Sequence, residues 1–374
     1  MLNKKIVFLA HHKNKKIMKK IVFLLLTLVI FSCSSKKSVS QNVKDTTVVK
    51  KAPKVYTMKV EDIKLLDNKS IYYYKSTITA ADLKKHLTKL TSTEFEGRKT
   101  GENGQKIAAN YIADYYKSLE IEAPIGEDQY FQYIPKEFFN GKSNNSSENV
   151  LAFIYGIEKP EEVVVISAHY DHLGLKEDNL FHGADDNGSG TSALLEIAEA
   201  FRMAYNDDEG PKRSILFLNL TGEEEGLFGS KYYAEHPVFP FEKTIVDLNI
   251  DMVGRVDDAH KDDENYVYLI GADKISEELH FISEAVNKKY TQLNLDYKYN
   301  DDNDINRFYY RSDHYNFAKN NVPVIFYFNG THADYHKPTD TEDKINYDLL
   351  AKRAQLVFLT AWELANRDEV LKKD

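Results

Sequence analysis

Short β-branched apolar runs alternate with stretches of helical periodicity along most of the chain. Val163–Ser167, Ile215–Leu220, Ile245–Asn249, Tyr266–Ile270 and Val324–Phe328 are each flanked by polar or glycine-bearing segments, which predicts strands buried on both faces. Between them the pattern predicts helices from about Gly190 to Ala204, Leu227 to Glu235 and Lys274 to Asn287. Near the end Leu350, Ala354, Val357, Ala361 and Leu364 recur at 4-3-4-3 spacing, the stripe of an amphipathic helix. Upstream the pattern turns helical from Thr79, and Ile107, Ala108, Tyr111, Ile112, Tyr115 and Leu119 mark an apolar face after Gly101-Glu102-Asn103-Gly104. Strands alternating with helices predict a three-layer α/β/α domain around a mostly parallel, mixed central sheet. No long linker divides it, so residues 71–374 read as one domain. Gly141–Ser147 reads as a polar loop, with no second domain between Gly126 and Asn149.

The first residues follow a different rule. From Met18 the chain runs Met-Lys-Lys, then eleven residues from Ile21 to Phe31 interrupted only by Thr27, then Ser32-Cys33-Ser34-Ser35. That apolar stretch is too short to span a bilayer, and a basic start followed by small residues marks a secretory signal. The sole cysteine stands at the expected cleavage point, which resembles a bacterial lipoprotein signal. Residues 1–32 are therefore expected to be removed, Cys33 to carry the lipid, and the protein to be exported and anchored in the cell envelope. Lys4-Lys5-Ile6-Val7-Phe8-Leu9 recurs at Lys19-Lys20-Ile21-Val22-Phe23-Leu24, so Met18 is a candidate true start. Residues 33–70 are expected to form a flexible tether, since Ser, Lys, Val and Thr dominate without a sustained apolar period.

Composition narrows the function classes. The chain has 374 residues with 49 Lys+Arg against 58 Asp+Glu, and removing residues 1–32 takes away seven lysines and no acid, leaving a charge of −16. Such a body lacks the basic face that nucleic acid requires and would not adhere to anionic lipid by charge. One cysteine rules out an internal disulfide, while 42% hydrophobic residues suffice for a sizeable core.

Polar clusters sit directly after the apolar runs, where an α/β sheet presents its strand ends to a ligand crevice. His169-Tyr170-Asp171 follows Val163–Ser167, and in extended chain His169 and Asp171 share a side. Read as a metal site, His169 is a ligand and Asp171 the carboxylate that fixes its tautomer. Gly183-Ala184-Asp185-Asp186-Asn187-Gly188-Ser189-Gly190 leads into a helix, and a carboxylate there can reach two cations or simply cap the helix. Thr221-Gly222-Glu223-Glu224-Glu225-Gly226 crowds acids at the end of a buried strand, where one carboxylate as ligand beside another as general base suits metal-assisted hydrolysis. Asn249-Ile250-Asp251 and Tyr335-His336 each add one potential ligand. Two histidines and three carboxylates form the mixed donor set that suits Zn²⁺.

These motifs together resemble the secreted co-catalytic zinc exopeptidases, the group of bacterial leucyl-type aminopeptidases, aminopeptidase Y, glutamate carboxypeptidase and the glutaminyl cyclases. The resemblance runs from about Thr79 to the end and includes Phe95-Glu96-Gly97-Arg98, Thr100-Gly101, Gly226-Leu227-Phe228-Gly229-Ser230 and Ser312-Asp313-His314. It implies two zinc ions per chain: Asp186 bridging them, His169 and Asp251 completing one site, Glu224 and His336 the other. It implies Glu223 as general base and Tyr335 as a donor to the oxyanion; His314, although it matches the family pattern, is expected to play a supporting structural role and not to bind metal. Asp185 is then the neighbour of the bridge. His172, His182, His260, His280 and His332 lack matched partners in sequence and are expected to fill ordinary polar roles.

The implied activity is aminopeptidase action on peptides. On the same fold, a glutaminyl-cyclase-like acyltransferase would favour pocket tryptophans, and the one tryptophan, Trp362, lies on the last helix. A carboxypeptidase would need cations for the substrate carboxylate, with Arg255, Arg307 and Arg311 as candidates. A non-catalytic surface lipoprotein would be marked by a lost ligand or base, and none is lost.

Overall fold

The protein is described by a computed structural model covering residues 54–374. The signal segment, Cys33 and most of the expected tether lie outside the described residues. Eight strands form one twisted sheet: β1 (Phe131–Ile134), β2 (Ser147–Ile154), β3 (Lys159–His169), β4 (Arg213–Leu220), β5 (Thr244–Ile250), β6 (Tyr266–Ile270), β7 (Asn294–Asp296) and β8 (Val324–Phe328). In space they run β1-β2-β4-β3-β5-β8-β6-β7. The four central strands β4, β3, β5 and β8 are parallel, while β2 joins β4 and β6 joins β8 antiparallel. This is the mostly parallel mixed sheet that the apolar runs predict.

Side-chain alternation along each strand feeds two cores. Val164 and Ile166 of β3 belong to the larger one, which packs against α1 (Ile71–Thr77), α2 (Ala80–Leu90), α3 (Asn103–Ser118), α4 (Gly190–Asn206), α6 (Glu277–Tyr290) and α8 (Tyr347–Asn366). Val163 and Val165 face the opposite layer, with Tyr233 of α5 (Phe228–Glu235) and Phe317 of α7 (His314–Ala318). Each such side chain contributes roughly 1.5–3 kcal/mol when fully buried. Trp362, 2% exposed, stacks against Tyr74 and Phe201 in the larger core and so lines no substrate pocket.

Two expectations need correction. The packed body begins before residue 71: the Tyr56 hydroxyl donates to Asp273 (2.9 Å), the Leu66 amide to Glu363 (3.1 Å), and Ile63 and Leu65 pack on the larger core. Two isolated apolar residues produce no period, yet they suffice to dock an extended segment. The expected Gly141–Ser147 loop is present over residues 141–146 but ends one residue early, because Ser147 opens β2, which pairs with β1, two strands of the same sheet that the apolar runs do not predict. Every residue of β2 is buried, including Ser147, Glu148 and Asn149. Gln105 donates to Glu148 (3.0 Å) and Asn149 donates to Gln132 and the Gly229 carbonyl (both 3.0 Å), so the strand carries polar residues into the core at little cost.

Candidate active site

The polar clusters meet at the carboxyl ends of the parallel strands. His169 ends β3, Glu223 and Glu224 follow β4, Asp251 follows β5, and His336 lies in the loop after β8. From β3 the chain crosses to β4 on one side and then to β5 on the other, and this reversal of strand order opens the crevice. Asp186 enters from the turn ahead of α4. Met252 and His336 both take φ of 55°, the left-handed region that turns the chain sharply beside Asp251 and at His336 itself.

Asp186, 3% exposed, stands between two sets of donors. Its Oδ1 lies 3.5 Å from His169 Nε2, which is 3.4 Å from Asp251 Oδ1. Its Oδ2 lies 3.0 Å from His336 Nε2, which is 3.1 Å from Glu224 Oε2. Neighbouring contacts aim these groups. Ser312 donates to Asp251 Oδ2 (2.6 Å), and the amides of Asp185 and Asp186 donate to Asp340 Oδ2 (3.0 and 3.1 Å). His169 Nδ1 faces the backbone carbonyl of Asp171 at 3.2 Å, with the Asp171 carboxylate 3.7 Å away. That carboxylate instead accepts from Thr100 Oγ1 (2.7 Å) and the Glu223 amide (3.2 Å), so Asp171 ties the His169 and Glu223 segments together.

Asp185 is fully engaged elsewhere. Its carboxylate accepts from the Gly254 amide (2.7 Å) and Asn329 (3.0 Å) and pairs with His332 Nε2 (3.0 Å). The register of the acidic loop thus falls with Asp186 in the crevice. His332 and His172 both depart from the ordinary roles expected of them. His172 is 1% exposed, and its Nδ1 lies 2.7 Å from Glu224 Oε1. Position 172 is 52 residues from 224, so no local spacing announces the pair. His182 Nδ1 donates to the Thr91 carbonyl (2.8 Å), and His260 pairs with Asp257 (2.8 Å). His314, fully buried and stacked on Phe326, is held neutral, its pKa pushed down to about 3 by burial.

The model of peptidase family M28 matches residues 149–361. The chain belongs to this family. Among curated relatives, aminopeptidase YwaD of Bacillus subtilis is 36% identical over 118 residues, covering 30% of this chain and 23% of the relative. A probable leucine aminopeptidase of Trichophyton verrucosum is 29% identical over 215 residues, 55% of each chain. This chain thus spans under a quarter to about half of those relatives. The fold is that of the Legionella pneumophila LapA aminopeptidase, with a TM-score of 0.64 over 85% of this chain and 79% of that one at 20% identity.

The M28 site fits divalent metal on its own geometry. Two groups of three residues, His169-Glu223-Asp251 and His172-Asp186-Glu224, each bring donor atoms within 4.8 Å of one another. His169 Nε2 is buried without a hydrogen-bond partner among the described residues, as a donor aimed at a cation is. Burial pushes the Glu223 carboxyl well up, and Asp251 and Glu224 add to this against the opposing His169. Burial works against ionised Glu224, yet His172 and His336 outweigh it and hold that carboxylate low. Tyr335 stacks on His336 with ring centroids 3.9 Å apart, and burial together with Asp186 and Glu224 keeps its phenol protonated. Beside these groups a narrow cleft with a cavity volume of about 30 Å³ opens to solvent, lined by Glu223, Asp251, Met252, Phe308, Phe326 and Arg311 among others.

Proposed function

We propose that this protein is a zinc-dependent aminopeptidase that releases N-terminal residues from peptides. The observation that carries the reading is the Asp186 carboxylate, whose two oxygens face two different His-plus-carboxylate sets with Glu223 alongside. In this reading His169, Asp186 and Asp251 hold one zinc ion, and Asp186, Glu224 and His336 hold a second. Bound there, zinc supplies Lewis acidity and makes water a nucleophile near neutral pH. Glu223, beside both donor sets, takes the proton of the attacking water and passes it to the leaving amine. The Tyr335 phenol donates to the carbonyl oxygen as that oxygen gains charge. The names of the relatives, aminopeptidases among them, support the same choice over a carboxypeptidase or an acyltransferase.

The test compares release of free amino acid from unblocked and N-acetylated peptides, with and without a chelator, beside Glu223→Gln. Chelator-sensitive release from unblocked peptides only, lost in the variant, supports the reading. Release from the carboxyl end of blocked peptides would replace it with a carboxypeptidase, and none from either end despite bound zinc would point to acyl transfer or binding.

We also propose export and lipid attachment at Cys33, which rests on the residues from Met18 to Ser35. Cys33→Ser is expected to move the protein from the detergent-extracted membrane fraction to the soluble one.

A further inference from the structure

We propose that Arg311 makes this site select peptides whose N-terminal residue has an acidic side chain, glutamate or aspartate. This rests on the aminopeptidase reading and goes further by naming the substrate class. Arg311 lines the cleft together with Glu223, Asp251 and Tyr335. Its guanidinium lies over the Phe308 ring, 4.8 Å from the centroid, and Nη2 donates to the Tyr335 hydroxyl at 3.4 Å. Stacking on one face and a single contact from Nη2 leave the remaining in-plane N–H groups for a carboxylate.

The other arginines near the site are already committed. Arg255 pairs with Asp334 (3.0 Å) and reaches Asp340 (3.7 Å), while Arg98 and Arg353 spend their donors on backbone carbonyls. No carboxylate among the described residues forms an ion pair with Arg311. The backbone after it is fixed, since Ser312 bonds Asp251 and Asp313 accepts from Ser230, both side chains fully buried. The cation therefore sits one residue from Ser312, which holds the Asp251 carboxylate of the proposed metal set. With the scissile carbonyl beside Glu223 and Tyr335, the side chain of the N-terminal residue runs along the mouth of the cleft past Phe308 towards Arg311, both of which line the same cleft. A short methylene stem suits that apolar ring, and a carboxylate at its end meets Arg311.

The zinc-loaded protein is assayed with glutamyl, glutaminyl, leucyl and lysyl amides of one chromogenic amine. Glutamyl and glutaminyl differ only in charge, so their kcat/KM ratio reads the cation directly. The expected ratio is at least about tenfold in favour of glutamyl, falling towards one in Arg311→Met and turning towards lysyl in Arg311→Glu. A wild-type ratio near one, or a ratio that Arg311→Met leaves in place, overturns the proposal. So does an Arg311-dependent preference for Leu-Gly over its C-terminal amide without one for glutamyl, which would assign the cation to the carboxylate of a dipeptide. Calorimetric binding of L-glutamate against L-glutamine to wild type and Arg311→Met gives the same ratio without turnover. If no amide is cleaved, the aminopeptidase reading fails, and the binding ratio alone decides whether Arg311 selects acidic side chains.

Discussion

His172 Nδ1 lies 2.7 Å from Oε1 of Glu224, while Oε2 of the same carboxylate faces His336 at 3.1 Å. One oxygen is thus held by a buried imidazole and the other is turned into the crevice. His172 itself has little freedom: its amide donates to the Arg98 carbonyl (3.1 Å), and a Cβ added at Gly183 would lie 2.5 Å from its ring. His172→Phe keeps the volume and removes the nitrogens, leaving Glu224 Oε1 buried with nothing to hold it. Zinc affinity is expected to fall by about 10–100-fold, the usual cost of losing a group that orients a ligand. Competition with a fluorescent chelator reads this, and unchanged affinity would show that Glu224 is aimed without His172.

Metal removal should be visible in stability as well as activity. The carboxylates of Asp186, Glu224 and Asp251 are crowded, with little side-chain exposure, a state that a cation relieves. Zinc at about a thousand times its dissociation constant adds about 4 kcal/mol to a folded state that alone binds it. The expected result is a melting temperature that drops on chelation and returns with zinc. Asp186→Asn should lose that response, whereas Glu223→Gln should keep it while kcat falls by about 10²–10⁴. A zinc response lost equally in both variants would move Glu223 from proton transfer to ligation.

Arg98 holds the entrance to the site from beneath. It is fully buried, and its guanidinium donates to the carbonyls of Tyr170 (2.8 Å), Leu90 (2.7 Å), His182 (2.9 Å) and Gly183 (2.9 Å). The end of α2, the His169 segment and the turn ahead of Asp186 are thereby joined through one side chain. Burial pushes its pKa down to about 10, with Asp171 and Asp186 opposing, so it stays charged at neutral pH. Arg98→Met strands four buried acceptors and is expected to cost about 3–5 kcal/mol. Chemical denaturation measures this, and a loss under about 1 kcal/mol would mean that water replaces the guanidinium.

The parts of this architecture legible in sequence are those whose signal is local. Strands β3, β4, β5, β6 and β8 are continuous apolar runs, and the residues just past their ends fall where an α/β sheet puts its ligands. His169, Asp186, Glu223, Glu224, Asp251 and His336 therefore come together as their positions suggest. Strand β2 escapes the same reading because Ser147, Glu148 and Asn149 are buried by partners such as Gln105 and Gln132, which no window of sequence contains. His172 and His332 escape it for the same reason, as their carboxylates stand 52 and 147 residues away. Arg311 was legible only as one of three candidate cations. What separates it is that Arg255 is paired with Asp334, while Arg307 lies over Tyr310 and is not among the residues that line the cleft.

One buried carboxyl outside the site gives the protein a pH dependence of its own. Asp247 lies in β5 with no exposure; its Oδ1 accepts from Ser167 (2.7 Å), and Oδ2 has no hydrogen-bond partner among the described residues. Burial pushes its pKa up to about 8, against the opposing Ser167 bond. In the unfolded chain the group ionises near its ordinary value of 3.8. Between those two values the unfolded state sheds a proton that the folded state keeps, so the Asp247 contribution is complete below about pH 4 and falls as pH rises towards 8. The slope is at most about 1.4 kcal/mol per pH unit. Asp247→Asn has no proton to lose and nearly the same shape. Its stability relative to wild type is therefore expected to improve steadily from pH 4 to 8 and then level off. Urea denaturation of both proteins at four pH values across that range provides the measurement, and a difference that stays flat would mean that folded Asp247 ionises as an ordinary carboxyl does.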